Sequence, residues 1–179
     1  MLAAARRTFT ERGYDASTLR HIAREAGVDP RMVRHYFVDK AGLFRAAMDL
    51  PIDPGAVLSS VLSGDLESIG ERLLRQFVAE WDQPGNASAM ITLVRSAMTH
   101  DESTRMLREF ISSQVLGRIA ATVDAPDREL RASLIGSQIV GLVVARYIIR
   151  VEPLASADPE AVVAAVAPTV QRYLTGTIH

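Results

Sequence analysis

Residues 18–44 read TLRHIAREAGVDPRMVRHYFVDKAGLF. Two short helical patterns meet at a glycine turn, Gly27. In the first, Leu19, Ile22, Ala23 and Ala26 recur at helical spacing, and Ser17 or Thr18 can cap its start. In the second, Asp29 is placed to cap the helix, and Pro30 takes the first position, where a missing N–H costs nothing. Val33 and Phe37 face inward. The aromatic pair Tyr36-Phe37 closes the helix, and Lys40, the only lysine in the chain, follows. This layout is a helix-turn-helix, a device that sets its second helix into the major groove of DNA.

Working outward, residues 2–12 suit a preceding helix with Leu2, Ala5 and Phe9 on one side and Gly13 as its stop. Asp39 opens a fourth helix whose apolar residues are Leu43, Phe44, Ala47 and Met48. The break PIDPG at 51–55 marks the module boundary. The expected organisation is a helix-turn-helix DNA-binding domain over 1–48 and a helical effector-binding and dimerisation domain over 49–179. Helical periodicity recurs near 56–62, 66–82, 86–99, 102–123, 127–150 and 160–174, and no alternating strand pattern occurs. The fold class is therefore all-α: an N-terminal three-helix head and a C-terminal helical body. Pro168 inside the last helix is expected to kink it, because Pro lacks the N–H that would bond Ala164.

The chain has 179 residues, 48% of them hydrophobic, which is enough for a packed core. Without cysteine there is no disulfide framework or thiolate metal site, and His21, His35, His100 and His179 are scattered, so no metal is expected. Arg6 and Arg7 interrupt the apolar start, which argues against a signal peptide and for a cytoplasmic setting. Residues 1–49 hold nine basic and six acidic side chains, a surplus of +3, and the remainder carries −4. A basic head on an acidic body suits a protein that meets phosphates with its head alone.

On the second helix of the motif the outward residues are Pro30, Arg31, Met32, Arg34 and His35. An arginine can fork onto guanine O6 and N7, and Met32 can lie against a thymine methyl. Tyr36 and Lys40 stand where they can grip the backbone, with Thr18 and Arg20 contributing from the preceding helix. Taken singly, each arginine also reads as solvated surface, and Tyr36 as core packing. The order and spacing carry the reading.

The stretch ASLIGSQIVGLVVA, 132–145, is apolar almost all round but too short for a membrane span, which needs about 20 residues. Two arrangements bury both its faces: a place at the centre of one protomer, or contact with a second copy. Leu134, Ser137, Gly141, Val144 and Ile148, with Val162, Val166 and Tyr173 on the last helix, form the stripes for a homodimer. For a small-molecule pocket the middle helices offer Phe77, Trp81, Met90, Leu93, Met98 and Phe110, with Arg95, Gln138 and Tyr147 as polar anchors, suited to an apolar or aromatic effector. Core packing is the competing reading of each. No nucleophile–base pair, metal motif or phosphate loop appears, so no catalytic residue or cofactor is expected, and Asp101 and Glu102 read as favourable charges at a helix start.

Residues 4–44 as a whole, AARRTFTERGYDASTLRHIAREAGVDPRMVRHYFVDKAGLF, resemble the DNA-binding domain of the TetR family of transcriptional regulators. Phe9, Gly13, Tyr14, Thr18, Ile22, Ala23, Ala26, Gly27, Val28, Phe37, Lys40 and Leu43 carry the resemblance. The segment from Arg131 to Gly176 is similar to the body of one group of these regulators. The resemblance implies an all-helical homodimer joined by its last two long helices, bound to double-stranded DNA, acting as a repressor and released by a small molecule. Two departures stand out. Arg34 occupies a position where the family often has Tyr, and Tyr36 one where it often has His, so operator preference does not transfer. Many relatives carry a basic arm before the first helix; this sequence opens inside that helix, and the expectation is either a lacking arm or a shortened start. The competing function is a helical ligand-binding or adaptor protein that no longer reads DNA.

Overall fold

The computed structural model describes residues 1–50 and 52–178; Pro51 and His179 lie outside the described residues. So do the side chains of residues 89, 90, 93 and 95–98, which include the pocket candidates Met90, Leu93, Arg95 and Met98. Most of the described residues are helical and no strand occurs among them, as the all-α reading expects. The helices are α1 (Leu2–Arg12), α2 (Leu19–Glu25), α3 (Pro30–Tyr36), α4 (Lys40–Ala47), α5 (Pro54–Leu62), α6 (Ile69–Asp82), α7 (Asn86–Thr99), α8 (Asp101–Ile111), α9 (Gly117–Thr122), α10 (Arg128–Leu142) and α11 (Pro159–Thr175). Two compact units result: Met1–Asp53 with Ser88–Gln114, and Pro54–Ala87 with Val115–His179.

In the first unit the turn chemistry is local and strong. Gly13 ends α1 with φ 82°, a left-handed conformation that glycine adopts without strain. Gly27 (φ 64°) ends α2: its N–H bonds Arg24 O at 3.1 Å while Val28 N–H bonds Ala23 O at 3.0 Å, the paired closure of a Schellman motif. Thr18, not Ser17, caps α2, its Oγ1 accepting from His21 N at 3.1 Å. Ser17 instead turns inward and donates to Gly13 O at 2.6 Å. Asp29 caps α3 through Arg31 N and Asp39 caps α4 through Gly42 N, both at 2.7 Å.

Four aromatic rings fill the core beneath these turns. Phe44 meets Phe9 edge-on at 5.0 Å and Tyr14 at 5.1 Å, and stacks on Phe110 at 4.4 Å. Phe110 also meets Tyr14 edge-on at 5.2 Å. Phe110 is therefore not a pocket residue as expected; it is only 4% exposed and belongs to the core under the helix-turn-helix. α8 brings further ties. Glu109 Oε2 accepts from Asp15 N at 2.9 Å, and Arg105 Nη2 donates to Glu11 O at 2.9 Å. A side chain at Gly13 would meet the Glu109 carboxylate at 2.5 Å. Leu2 is another correction: α1 buries Ala4, Ala5, Thr8 and Phe9 and leaves Leu2 exposed.

In the second unit α6 and α11 pack closest. A Cβ on Gly70 would lie 2.8 Å from Ala167 O and from Gln171 N, so only glycine permits this approach. The Gln171 amide fastens the contact, accepting from Gly70 N at 2.8 Å and donating to Leu66 O at 2.9 Å. Two buried arginines hold chain reversals. Arg131 bonds Asp127 Oδ1 and the carbonyls of Tyr173 and Gly176; Arg146 bonds the carbonyls of Leu154 and Ala157.

The sequence reading expects unbroken helices over 102–123 and 127–150. Each is instead interrupted by a π-helical turn, at Ser112–Leu116 and at Val143–Ile148. The extra residue per turn shifts which side chains face inward. α11 runs on through Pro168, which lies on an exposed side. Val162, expected at a dimer contact, is 3% exposed and is used in the core of its own protomer.

Replacing Phe110 with Ala should destabilise the folded chain by about 3–5 kcal/mol, the usual loss for a buried aromatic. Chemical denaturation followed by circular dichroism checks it, and a loss under 1 kcal/mol would show that the first unit holds together without α8.

Candidate nucleic-acid interface

α3 has seven residues, too few to persist alone in water. One of its side chains, Val33, is fully buried, and Phe37 follows it half-buried against the same core. Pro30, Arg31, Met32, Arg34, His35 and Tyr36 are all exposed. Met32 is 48% and Tyr36 66% exposed, which excludes the core-packing reading of Tyr36. His35 and Tyr36 meet edge to face at 5.3 Å. The acids flanking this helix, Asp29 and Asp39, accept from backbone N–H groups. The surface left facing outward is cationic and aromatic, with donors suited to base edges and phosphates.

Thr18 and Arg20 are exposed on the same side of the motif, beside Pro30. Lys40 differs from the other candidates. Its ammonium donates to Tyr14 O at 2.9 Å and Asp15 O at 3.3 Å and lies 4.3 Å from the Tyr14 ring centroid. Its charge ties α4 to the turn after α1, so its first role in this geometry is to position the motif. Sequence spacing gave no signal of this, because the partners are backbone carbonyls 26 and 25 residues earlier.

Among the pocket candidates, the second unit brings Phe77, Trp81 and Tyr147 together. Trp81 lies 5.7 Å from Phe77 and 5.0 Å from Tyr147. The Tyr147 hydroxyl donates to Asp82 Oδ1 at 3.0 Å. Burial, and then this bond to a carboxylate, push the phenol up to about 12. Gln138 is half-buried on α10.

Residues 1–47 match the family pattern of bacterial regulatory proteins of the tetR family, and residues 67–174 match the tetracyclin repressor-like C-terminal domain. The chain belongs to the TetR family. It is a DNA-binding transcriptional regulator, and α3 with its exposed face lies within the segment that matches the family's N-terminal pattern. A TetR-family regulator from Streptomyces coelicolor A3 is 36% identical, with 97% of this chain and 91% of that chain covered and a TM-score of 0.59. NalD, the secondary repressor of the MexAB-OprM multidrug efflux pump in Pseudomonas aeruginosa, shares the fold at 19% identity, TM-score 0.51, covering 97% and 93% of the two chains. A transcriptional regulator from Rhodococcus sp. Rha1 does so at 20% identity and TM-score 0.51, covering 99% and 97%. Comparison with curated proteins gives no match.

Two outcomes follow from this geometry. Lys40→Met should cost about 1.5–3 kcal/mol of stability, as expected for lost charge-assisted hydrogen bonds; thermal denaturation checks it, and an unchanged midpoint would return Lys40 to a free phosphate-gripping role. Tyr147, with its pKa raised in the folded state, stabilises the fold fully below pH 10, and that contribution is lost as pH rises through about 12. An absorbance titration of tyrosinate should show a transition near pH 12 that Tyr147→Phe removes.

Proposed function

We propose that this regulator is a repressor that binds a palindromic operator as a homodimer and leaves it when a small molecule occupies its body. In this reading residues 1–48 carry the DNA contacts and residues 49–179 the effector and dimer contacts. The outward display of Arg31, Met32, Arg34, His35 and Tyr36 from α3 is the observation that supports DNA reading over a helical adaptor. Arg34 and Arg31 serve as guanine readers, Met32 as a thymine-methyl contact, and His35, Tyr36, Thr18, Arg20 and Pro30 as register-setting contacts. Lys40 supports them from behind.

The dimer reading rests on α10 and the turn that follows it. Leu130 and Val140 are each 56% exposed, Ser137 and Gly141 are exposed, and Leu134, Val144 and Ile148 are half-buried. Open space surrounds Gly141 within its own protomer, which leaves room for close approach of a second backbone. On α11, Val166 and Tyr173 remain as half-buried candidates. Two heads on one face of a duplex need recognition helices about 34–36 Å apart. An effector lowers DNA affinity by binding better to a conformation that breaks this spacing. Phe77, Trp81 and Tyr147, with Gln138, suit an apolar or aromatic effector. No helix among the described residues is long and apolar enough to cross a membrane, and we place the regulator in the cytoplasm with its DNA.

Selecting genomic fragments with the purified chain should return a palindromic sequence, and Arg34→Ala should lose about 1–3 kcal/mol of discrimination at one base pair per half-site. Leu134→Glu with Val140→Glu should shift the mass in sedimentation from twice 19.5 kDa to 19.5 kDa and abolish palindrome selection. A wild-type chain that selects no sequence would favour the adaptor reading.

A further inference from the structure

α3 does not account for all of the basic surface of the head. Between α2 and the start of α3 runs an open groove of about 530 Å3 lined by Thr18, Arg20, His21, Arg24, Val28 and Pro30. No carboxylate lines it, and three of its six side chains are basic or imidazole. Arg20 and Arg24 stand one helical turn apart, so both can reach the same side of α2. The Arg24 side chain is 72% exposed, with the Glu25 carboxylate 3.8 Å from its Nε. Its Nη2 donates to His21 Nδ1 at 2.6 Å. A guanidinium has five N–H donors, so these contacts leave most of them for another acceptor.

The groove's position says which acceptor fits. In a helix-turn-helix the second helix enters the major groove while the first crosses the sugar-phosphate backbone. A groove walled by α2 and reaching Pro30, the first residue of α3, lies where one strand of the duplex passes. We propose that this groove seats a DNA backbone phosphate, gripped by Arg24 together with Arg20, and that His21 is a positioning residue that aims the Arg24 guanidinium. The seat fixes how α3 docks and carries no sequence information. This rests on α3 being the reading helix.

The test is a salt titration of binding by the full chain to its selected operator and to an unrelated duplex. Wild type, Arg24→Ala and Arg24→Lys are compared, with Arg75→Ala in the second unit as a control. A lost phosphate contact lowers the slope of log affinity against log salt by about 0.9 per protomer. Arg24→Ala should show that drop and weaken both duplexes by the same factor, with its circular dichroism unchanged. Arg24→Lys should restore the slope, and Arg75→Ala should leave it alone. An unchanged slope in Arg24→Ala beside normal wild-type binding overturns this inference alone. A wild-type chain that binds neither duplex overturns the reading of α3 and this inference with it.

Discussion

The short helix α3 depends on a nest of four rings, Phe9, Tyr14, Phe44 and Phe110, and on the side chains packed around them. α3 buries little of itself, so its direction is set from below: Val33 and Phe37 anchor it to that core, while Asp29 and the Gly27 turn fix where it begins. The same arrangement leaves six side chains facing outward, the ones to which the proposal assigns the DNA contacts. A helix that buried more would be steadier alone and would have less to offer the duplex. The nest is also discontinuous in sequence, since Phe110 arrives on α8 about 66 residues after Phe44, with Glu109 and Arg105 fastening the α1 side of the unit.

The second unit solves a different problem with different chemistry. Its core is aliphatic, and its closest helix pair is set by the absence of a side chain at Gly70. Among the described residues, charged groups are buried there only where they close several carbonyls at once, as Arg131 and Arg146 do. Such interiors leave α10 with an apolar face turned outward, and that face is the basis for reading the regulator as a dimer.

Much of the head was legible in the sequence because its determinants are local. Gly13, Gly27, Asp29, Pro30 and Asp39 announce helix ends through conformational preference and capping alone, and the observed boundaries follow them. The outward placement of Arg31 and Arg34 followed from the same periodicity, whereas Tyr36, which also read as core packing, was placed outside only by the structure. What stayed hidden depends on long-range contact. Phe110 looked like a pocket residue because its apolar ring gives no sign of which core it joins. Val162 looked like an interface residue because an amphipathic stripe does not say whether a partner or its own chain covers it. Lys40 looked like a phosphate contact because carbonyl acceptors leave no trace in residue identity. The π turns likewise shift the helical phase with no glycine or proline inside them.

The central claim is that α3 lies in the major groove with its guanidinium groups on guanine edges, twice per dimer. Methylation of guanine N7 projects into that groove and blocks an arginine fork, so methylation interference on a selected operator tests it most directly. The account predicts interfering guanines in two clusters about 10–10.5 base pairs apart, related by a two-fold axis, with one cluster position losing its effect in Arg34→Ala. Binding that tolerates N7 methylation throughout the site would contradict it.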